Sequence, residues 1–252
     1  MYNKFITQCL FAIVFVGLYF NSAHAYQDDG QKRWQSFALA PIKASLVAPF
    51  DHCFDKAARR YNLPKALILA VARGESDFDP QAVSSANAKG VMQINPITAD
   101  HLGIKHSHLF KPCKNIDAGS RYLRELHNKY GNWSHTLAAY NYGPGRIGKT
   151  QPYSTLPKGA KWYVDYIYDH LMFVTTATDI HYHKVRKLNL ITFDRPYRAI
   201  SYVDYLRERV PQLQFSWFKK PHDKYEVVVV VSSLSQKRKA KRLLNKINVK
   251  II

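Results

Sequence analysis

Long apolar runs are scarce in this chain. Residues 5–20 form one, and every later segment is too short or too charged to span a membrane. At its length even this run is marginal as a span, which needs about 20 apolar residues. It follows the basic Lys4 and precedes the small-x-small sequence Ala23-His24-Ala25, a pattern typical of a secretory signal peptide. We therefore expect residues 1–25 to be a signal peptide cleaved after Ala25, and the mature protein to be soluble and periplasmic.

Cysteine is also scarce. Cys9 lies inside the predicted signal peptide, in a context unlike a lipidation site, which leaves Cys53 and Cys113 in the mature chain. In an oxidising compartment such an even pair favours a disulfide, and two buried free thiols are the alternative. In the chain-entropy model this crosslink would contribute roughly 4 kcal/mol.

Acidic residues are few. The chain has 18 Asp and Glu and 37 Lys and Arg, which gives a formal net charge of +19. Such a charge favours an anionic partner or environment, with a solvated basic surface as the alternative. Export argues against nucleic acid as the partner. An anionic wall polymer or an anionic membrane surface fits an exported protein better.

The apolar patterning predicts an α+β protein with two domains. A leader or linker at 26–49 precedes a mainly helical domain at 50–174, a second linker follows at 175–187, and a small domain occupies 188–252. Five helices are predicted in the first domain: 51–61, 65–74, 115–130, 133–140 and 161–174. The second domain shows the order strand, helix, strand, strand, helix, strand: 188–193, 197–210, 213–218, 225–231, 236–247 and 249–252. This order predicts a split β-α-β unit with two helices on one face of a four-stranded sheet.

Glu75 is the first candidate for chemistry. It stands at the end of a strongly apolar helix, where desolvation raises the pKa of a carboxyl, as it does in lysozyme. An acid that stays protonated near neutral pH is what cleavage of a glycosidic bond requires. Asp77 and Asp79 lie nearby, but both are typical of turn or cap residues. With no second carboxylate, a one-acid mechanism needs a nucleophile that belongs to the sugar.

Three spaced motifs resemble those of the soluble lytic transglycosylases of bacterial cell walls. They are Glu-Ser-x-Phe-x-Pro at 75–80, Gly-Val-Met-Gln-Ile-x-Pro at 90–96 and Ala-Tyr-Asn-Tyr-Gly-Pro-Gly at 139–145. The likeness covers about residues 50–170 and implies a lysozyme-like catalytic domain. The sequences around Cys53 and Cys113 further resemble members that accompany secretion, conjugation or pilus machines, in which these cysteines pair.

The resemblance implies cleavage of the MurNAc-GlcNAc β-1,4 bond of peptidoglycan glycan strands without water. Glu75 would protonate the glycosidic oxygen and then accept the proton of the muramyl C6 hydroxyl as it attacks C1, leaving a 1,6-anhydroMurNAc end. A hydrolytic muramidase on the same fold and an inactive wall-binding scaffold are the alternatives. A secretion, pilus or division apparatus is a further candidate partner, and no metal or organic cofactor is predicted.

The same resemblance implies that six residues bind the substrate: Ser84, Met92, Gln93, Asn95, Tyr140 and Asn141. Gln93 and Tyr140 would hold the substrate and steer Glu75. The alternative roles are core packing for Tyr140 and a helix-end hydrogen bond for Gln93, and Met92 is more typical of the core than of a substrate contact. One position departs from the family, since Gly159 stands where many relatives carry Glu. This departure predicts altered affinity at one glycan subsite, and Tyr163 nearby is expected to pack against the cleft.

The second domain resembles, more weakly, the SPOR domains that bind peptidoglycan glycans stripped of their peptides. The element order and the spacing from Phe193 to Ala199 carry this likeness, while Asn189, Ile191 and Ser232 replace residues usual in that family. Basic residues crowd the last helix, where they would meet wall or membrane phosphates or form a solvated face. In the second linker, the spacing of two histidines at 181 and 183 favours a solvated loop over a metal site.

Overall fold

The computed structural model describes residues 32–37, 46–176, 186–220 and 224–252. The predicted signal peptide and the histidines at 181 and 183 lie outside these ranges. No helix within them combines the length and the apolar character that crossing a lipid bilayer requires.

The described elements comprise a mainly helical domain and a small antiparallel sheet with two helices. In chain order they are α1 (residues 32–37), α2 (Asp51–Tyr61), α3 (Lys65–Ser76), α4 (Pro96–His101), α5 (Pro112–Tyr130), α6 (Trp133–Tyr142), α7 (Lys158–Thr176), β1 (Arg186–Phe193), α8 (Pro196–Arg209), β2 (Gln214–Lys220), β3 (Lys224–Val231) and α9 (Leu234–Lys246). All five helices predicted for the first domain are present. Helix α5 begins three residues early because Pro112 occupies its first turn, where a missing N–H costs nothing.

Helix α3 forms the centre of the helical domain. Every residue from Ala66 to Arg73 is buried, because the run is apolar on all sides and suits a helix enclosed by its neighbours. Helices α2 and α7 pack against it. Burial of a side chain such as Leu67 or Ile68 contributes about 2 kcal/mol. The packing fixes the C-terminal end of α3, where Glu75 lies.

Helix α1 belongs to the same core, although its residues lie in the segment predicted as a leader or linker. Trp34 and Phe37 are one helical turn apart, so they share a face, and both are buried. The indole N–H of Trp34 donates to the carbonyl of Val164 in α7, at 3.2 Å. A six-residue helix is too short to show sustained periodicity in the sequence.

The C-terminal sheet has the strand order β1-β3-β2, and both pairings are antiparallel. Helices α8 and α9 pack against it. The prediction of a fourth strand at 249–252 is wrong, because these residues have no strand geometry. The N–H of Ile252 donates to the carbonyl of Asn189 at 2.9 Å, beside the bulge that interrupts β1 between Asn189 and Ile191. Such a bulge bends the strand and disrupts regular pairing.

Candidate active site

A cleft of about 430 Å³ opens at the C-terminal end of α3. Its walls come from Glu75, from residues 82–98, from the end of α6, from α7 and from β2. This volume lies within the range of roughly 300–1,000 Å³ that is usual for ligand sites. The cleft is therefore large enough to accept part of a chain-like substrate.

Glu75 is half-buried at the inner end of this cleft. Burial raises its pKa from the ordinary value of 4.5 to about 7, against the opposing effects of a hydrogen bond from Tyr163 and the charge of Lys219. The hydroxyl of Tyr163 donates to Glu75 Oε1. Among the described residues that line the cleft, Glu75 is the one carboxylic acid. Near neutral pH a substantial fraction of it still holds a proton to give.

The two neighbouring aspartates have structural roles. Asp79 Oδ1 accepts a hydrogen bond from the N–H of Gln81 at 2.8 Å, which closes a turn. Asp77 ends α3 in the left-handed conformation, with φ 56°, and its carboxylate pairs with Lys187. Neither residue lines the cleft, so the site has no second acid next to Glu75 in sequence.

The loop at 90–94 is held on Asn115, a fully buried residue of α5. Asn115 Nδ2 donates to the carbonyls of Lys89 and Leu109, at 2.8 and 2.9 Å. Its Oδ1 accepts from the N–H of Met92 at 2.7 Å. Gly90 has φ +76°, and a Cβ there would lie 2.2 Å from the Leu109 carbonyl. The motif requires glycine at this position because backbone and amide fill the space.

A second bond joins this loop to α3, the helix that carries Glu75. Ser76, the residue after Glu75, donates from Oγ to the carbonyl of Val91 at 2.7 Å. The Glu-Ser pair therefore ends the helix and ties its last turn to the opposite side of the cleft.

Five of the six predicted binding residues line the cleft together with Glu75: Ser84, Gln93, Asn95, Tyr140 and Asn141. Gln93 Nε2 donates to the carbonyls of Ala82 and Gly90 at 3.1 and 2.9 Å. Asn95 caps α4, accepting from the N–H of Ile97 at 3.0 Å. The side chains of Gln93 and Asn95 thus brace the loops of the cleft as well as line it.

Met92 is the exception among the predicted binding residues. Its side chain is fully buried and does not line the cleft. It packs on α5 so closely that a Cβ at Gly119 would lie 2.6 Å from Met92 Sδ. The assignment of Met92 as a substrate contact is therefore replaced by a core role, with its carbonyl accepting from the hydroxyl of Tyr140 at 2.8 Å.

Helix α7 contributes an aromatic wall that sequence analysis recognised only at Tyr163. Trp162 and Tyr166 also line the cleft, and their rings stack with centroids 5.1 Å apart. At Gly159, a Cβ would lie 2.7 Å from the hydroxyl of Tyr142. A larger residue such as Glu would therefore require Tyr142 to move, which gives a steric reason for glycine at this position.

A disulfide joins Cys53 in α2 to Cys113 in α5 across a sequence separation of 60. His52 Nε2 lies 3.3 Å from Cys53 Sγ and 3.5 Å from Cys113 Sγ, so three residues of metal-ligating types lie together. A disulfide offers no thiolate, and the thiolate is the form of cysteine that binds metal. The crosslink holds α5, and with it Asn115, against α2.

Two cleft residues come from the C-terminal sheet and had no signal in the sequence. Lys219 and Lys220, at the end of β2, are exposed and line the cleft. They stand about 145 positions after Glu75 in the chain, and only the packing of the two domains brings them there.

Comparison with known proteins gives matches over the same region. Residues 52–162 match the family model described as Transglycosylase SLT domain. The chain is 39% identical over 123 residues to the membrane-bound lytic murein transglycosylase C of Actinobacillus succinogenes, covering 42% of this chain and 34% of that one. The corresponding enzyme of Histophilus somni is 41% identical over 132 residues, covering 44% and 36%.

A solved structure, the 70 kDa soluble lytic transglycosylase from Escherichia coli, is 26% identical, with a TM-score of 0.43 over 49% of this chain and 24% of that one. The chain spans about a quarter to a third of the length of the curated relatives that it matches. The matched region contains Glu75, the loop at 90–94, α6 and the disulfide. Over residues 52–162 the chain is thus similar to proteins that carry a transglycosylase SLT domain.

Proposed function

We propose that this protein is a peptidoglycan lytic transglycosylase and that Glu75 is its single catalytic acid and base. The observation that carries the proposal is the environment of Glu75, which is the one carboxyl lining the cleft among the described residues, with a pKa raised to about 7. The match of residues 52–162 to the SLT domain supports the same reaction.

The reaction needs one proton to be given and one to be taken back. Because Tyr163 donates to Oε1, Oε2 carries the proton that Glu75 gives to the oxygen between MurNAc and GlcNAc. The bond from C1 to that oxygen breaks, and the muramyl C6 oxygen attacks C1. The C6 hydroxyl proton passes to the carboxylate, which restores the acid. A 1,6-anhydroMurNAc end forms, and no water is consumed.

The remaining cleft residues position the strand. Tyr140 is fixed by its bond to the Met92 carbonyl, and Asn141 is exposed beside it. Ser84 and Asn95 lie along the same cleft. We assign substrate binding to these residues and to Gln93, because hydroxyls and amides at the wall of a cleft are the groups that recognise sugar hydroxyls and acetamides.

The cellular setting is part of the proposal. The sequence features of a signal peptide at 1–25, together with the net charge of +19, support a periplasmic enzyme that meets anionic wall or membrane surface. The sequences around Cys53 and Cys113 resemble those of members that accompany secretion or pilus machines, which supports a role beside such a machine. Division machinery is the other candidate partner. A SPOR-like role for residues 188–252 is supported by the order of their strands and helices.

The test is digestion of purified sacculi by the mature protein and by Glu75→Gln, followed by mass spectrometry of the released muropeptides. Anhydromuramyl products from the wild type alone are expected. Hydrated products would instead identify a muramidase, and a Glu75→Gln variant as active as the wild type would remove Glu75 from the mechanism. A wild type that binds sacculi and releases nothing would favour a scaffold.

A further inference from the structure

The C-terminal sheet reaches the candidate active site through its edge strand, β2. The strand lies against α7, and its last two residues, Lys219 and Lys220, line the same cleft as Glu75. The helical domain supplies Glu75 and the loops, while the sheet supplies these two cations. The cleft is therefore built by both domains.

The strand is fixed on α7 by specific contacts. The indole N–H of Trp217 donates to Asp169 Oδ2 at 2.8 Å, and its ring lies 4.8 Å from the ring of Tyr166. The N–H of Lys219 donates to the hydroxyl of Tyr166 at 3.3 Å. That hydroxyl donates in turn to the carbonyl of Gly74 at 2.9 Å. One side chain, Tyr166, thus connects the backbone of β2 to the residue before Glu75.

A buried cation on α3 provides a second anchor. The guanidinium of Arg73 is fully buried, and its Nη1 donates to Ser216 Oγ at 3.0 Å and contacts His170 Nδ1 at 2.5 Å. It also lies 3.6 and 4.8 Å from the rings of Phe173 and Phe218. Burial and the neighbouring Arg73 lower the pKa of His170 well below its ordinary value, so a neutral imidazole accepts the bond. These buried contacts hold β2 in one position relative to Glu75.

The charges that face the cleft are unequal. Among the described lining residues, two are cationic and one, Glu75, is acidic. Lys219 Nζ lies 5.7 Å from the centre of the Trp162 ring, and Lys220 Nζ pairs with Glu226 Oε2 at 3.0 Å. While Glu75 holds its proton, it contributes no negative charge, so Lys219 makes the cleft favourable for an anion. Lys220 adds to this attraction where a ligand carboxylate shares its ammonium group with Glu226.

We propose that Lys219 and Lys220 form a carboxylate-binding subsite, through which β2 of the C-terminal domain takes part in substrate recognition. This inference rests on the proposed function, because it takes the glycan strand of peptidoglycan as the ligand. In a strand without peptides, the ionised group of each repeat is the lactyl carboxylate of MurNAc. In an intact strand that group is an amide, and the carboxylates belong to the stem peptide. Both sources share the chemistry that a lysine pair recognises.

The experiment measures binding, so that it does not depend on catalysis. Isothermal titration in the Glu75→Gln background compares the full mature chain with Lys219→Ala, Lys220→Ala and, as a matched control, Lys56→Ala on the exposed face of α2, away from the cleft. The probes are a peptide-free MurNAc-GlcNAc oligosaccharide, the same oligosaccharide with its carboxylates converted to methylamides, and an oligosaccharide with stem peptides. Lys219→Arg keeps the positive charge and tests whether that charge is enough to retain the affinity that Lys219→Ala loses.

Each lysine replacement is expected to weaken binding of a carboxylate-bearing probe by about 1.5- to 5-fold, the range for exposed ion pairs, and this loss should shrink at high salt. The two lysine replacements should not change the affinity for the methylamide probe, and Lys56→Ala should not change the affinity for any of the three probes. If affinity falls only for the peptide-free probe, the lysines bind the lactyl carboxylate. If it falls only for the peptide-bearing probe, they bind the carboxylates of the stem peptide.

Equal affinity of Lys219→Ala, Lys220→Ala and the parent for both carboxylate probes would overturn the proposal, as would an equal loss on the methylamide probe. Failure of the wild type to cleave sacculi is a separate result. That failure would contradict the proposed function, whereas the titrations would still decide whether the two lysines bind a carboxylate.

Discussion

Replacement of Tyr163 by Phe tests how the protonation of Glu75 is set. The hydroxyl of Tyr163 donates to Glu75 Oε1, and this bond favours the ionised carboxylate, so it opposes the rise in pKa that burial causes. Without the bond, the pKa of Glu75 should rise above its value of about 7.

The size of the shift follows from the strength of the bond. A hydrogen bond to a charged group contributes about 1.5–3 kcal/mol, and one pKa unit corresponds to about 1.4 kcal/mol. The full effect would be roughly 1 to 2 units. Because Glu75 is half-buried and water can replace part of the bond, we expect a rise of roughly 1 unit in Tyr163→Phe.

The assay is the pH dependence of kcat/KM on a soluble glycan strand, which reports the ionisation of the free enzyme. Glu75 must be protonated to act as an acid, so activity should fall as pH rises through its pKa, with a midpoint near 7 in the wild type and about one unit higher in Tyr163→Phe. Tyr130→Phe is the matched control, because its hydroxyl donates to the backbone carbonyl of Ile147 at 3.0 Å, away from the cleft. A midpoint that stays in place or moves down in Tyr163→Phe would refute this role for the bond.

Three further predictions concern stability. Because the pKa of Glu75 is raised from 4.5 to about 7, the wild type should lose about 2–3 kcal/mol of unfolding free energy as the pH rises between these values. Urea titrations at several pH values should show no such loss for Glu75→Gln. An equal loss in the variant and the wild type would contradict this prediction. Asn115→Ala leaves two buried backbone groups unpaired, the N–H of Met92 and the carbonyl of Leu109, and should cost about 3 kcal/mol, against less than about 0.5 for the exposed Asn245→Ala; equal costs would refute its bracing role. Loss of the Cys53–Cys113 bond, which closes a loop of 60 residues, should cost about 4 kcal/mol in the double serine variant, and an unchanged urea midpoint would contradict this expectation.

Sequence reasoning located the helices and the motif residues because each has a local physical signature. The apolar run of α3 predicts burial, and burial at its end predicts the raised pKa of Glu75. Met92 was misassigned because the next residue of its motif, Gln93, faces the cleft, whereas its own side chain turns into the core beneath Gly119. Periodicity alone does not separate these two directions within a tight loop.

The contribution of the second domain could not be predicted in the same way. The strands β1, β2 and β3 show clear apolar patterns, but nothing local in Lys219 or Lys220 indicates that they line a cleft on another domain. Their position depends on contacts between residues far apart in sequence, such as Trp217 with Asp169 and Arg73 with Ser216. The predicted fourth strand failed for a related reason, since its pairing depended on a partner strand that is interrupted by a bulge.

The most direct test of the chemistry proposed for Glu75 is digestion of peptide-free glycan strands in water enriched in heavy oxygen, followed by mass spectrometry of the new muramyl ends. If the muramyl C6 oxygen attacks C1, every new end is lighter than a hydrated end by one water molecule and contains no heavy oxygen. Hydrated ends that carry the label would show that water attacks C1, and the one-acid lytic mechanism would then be wrong.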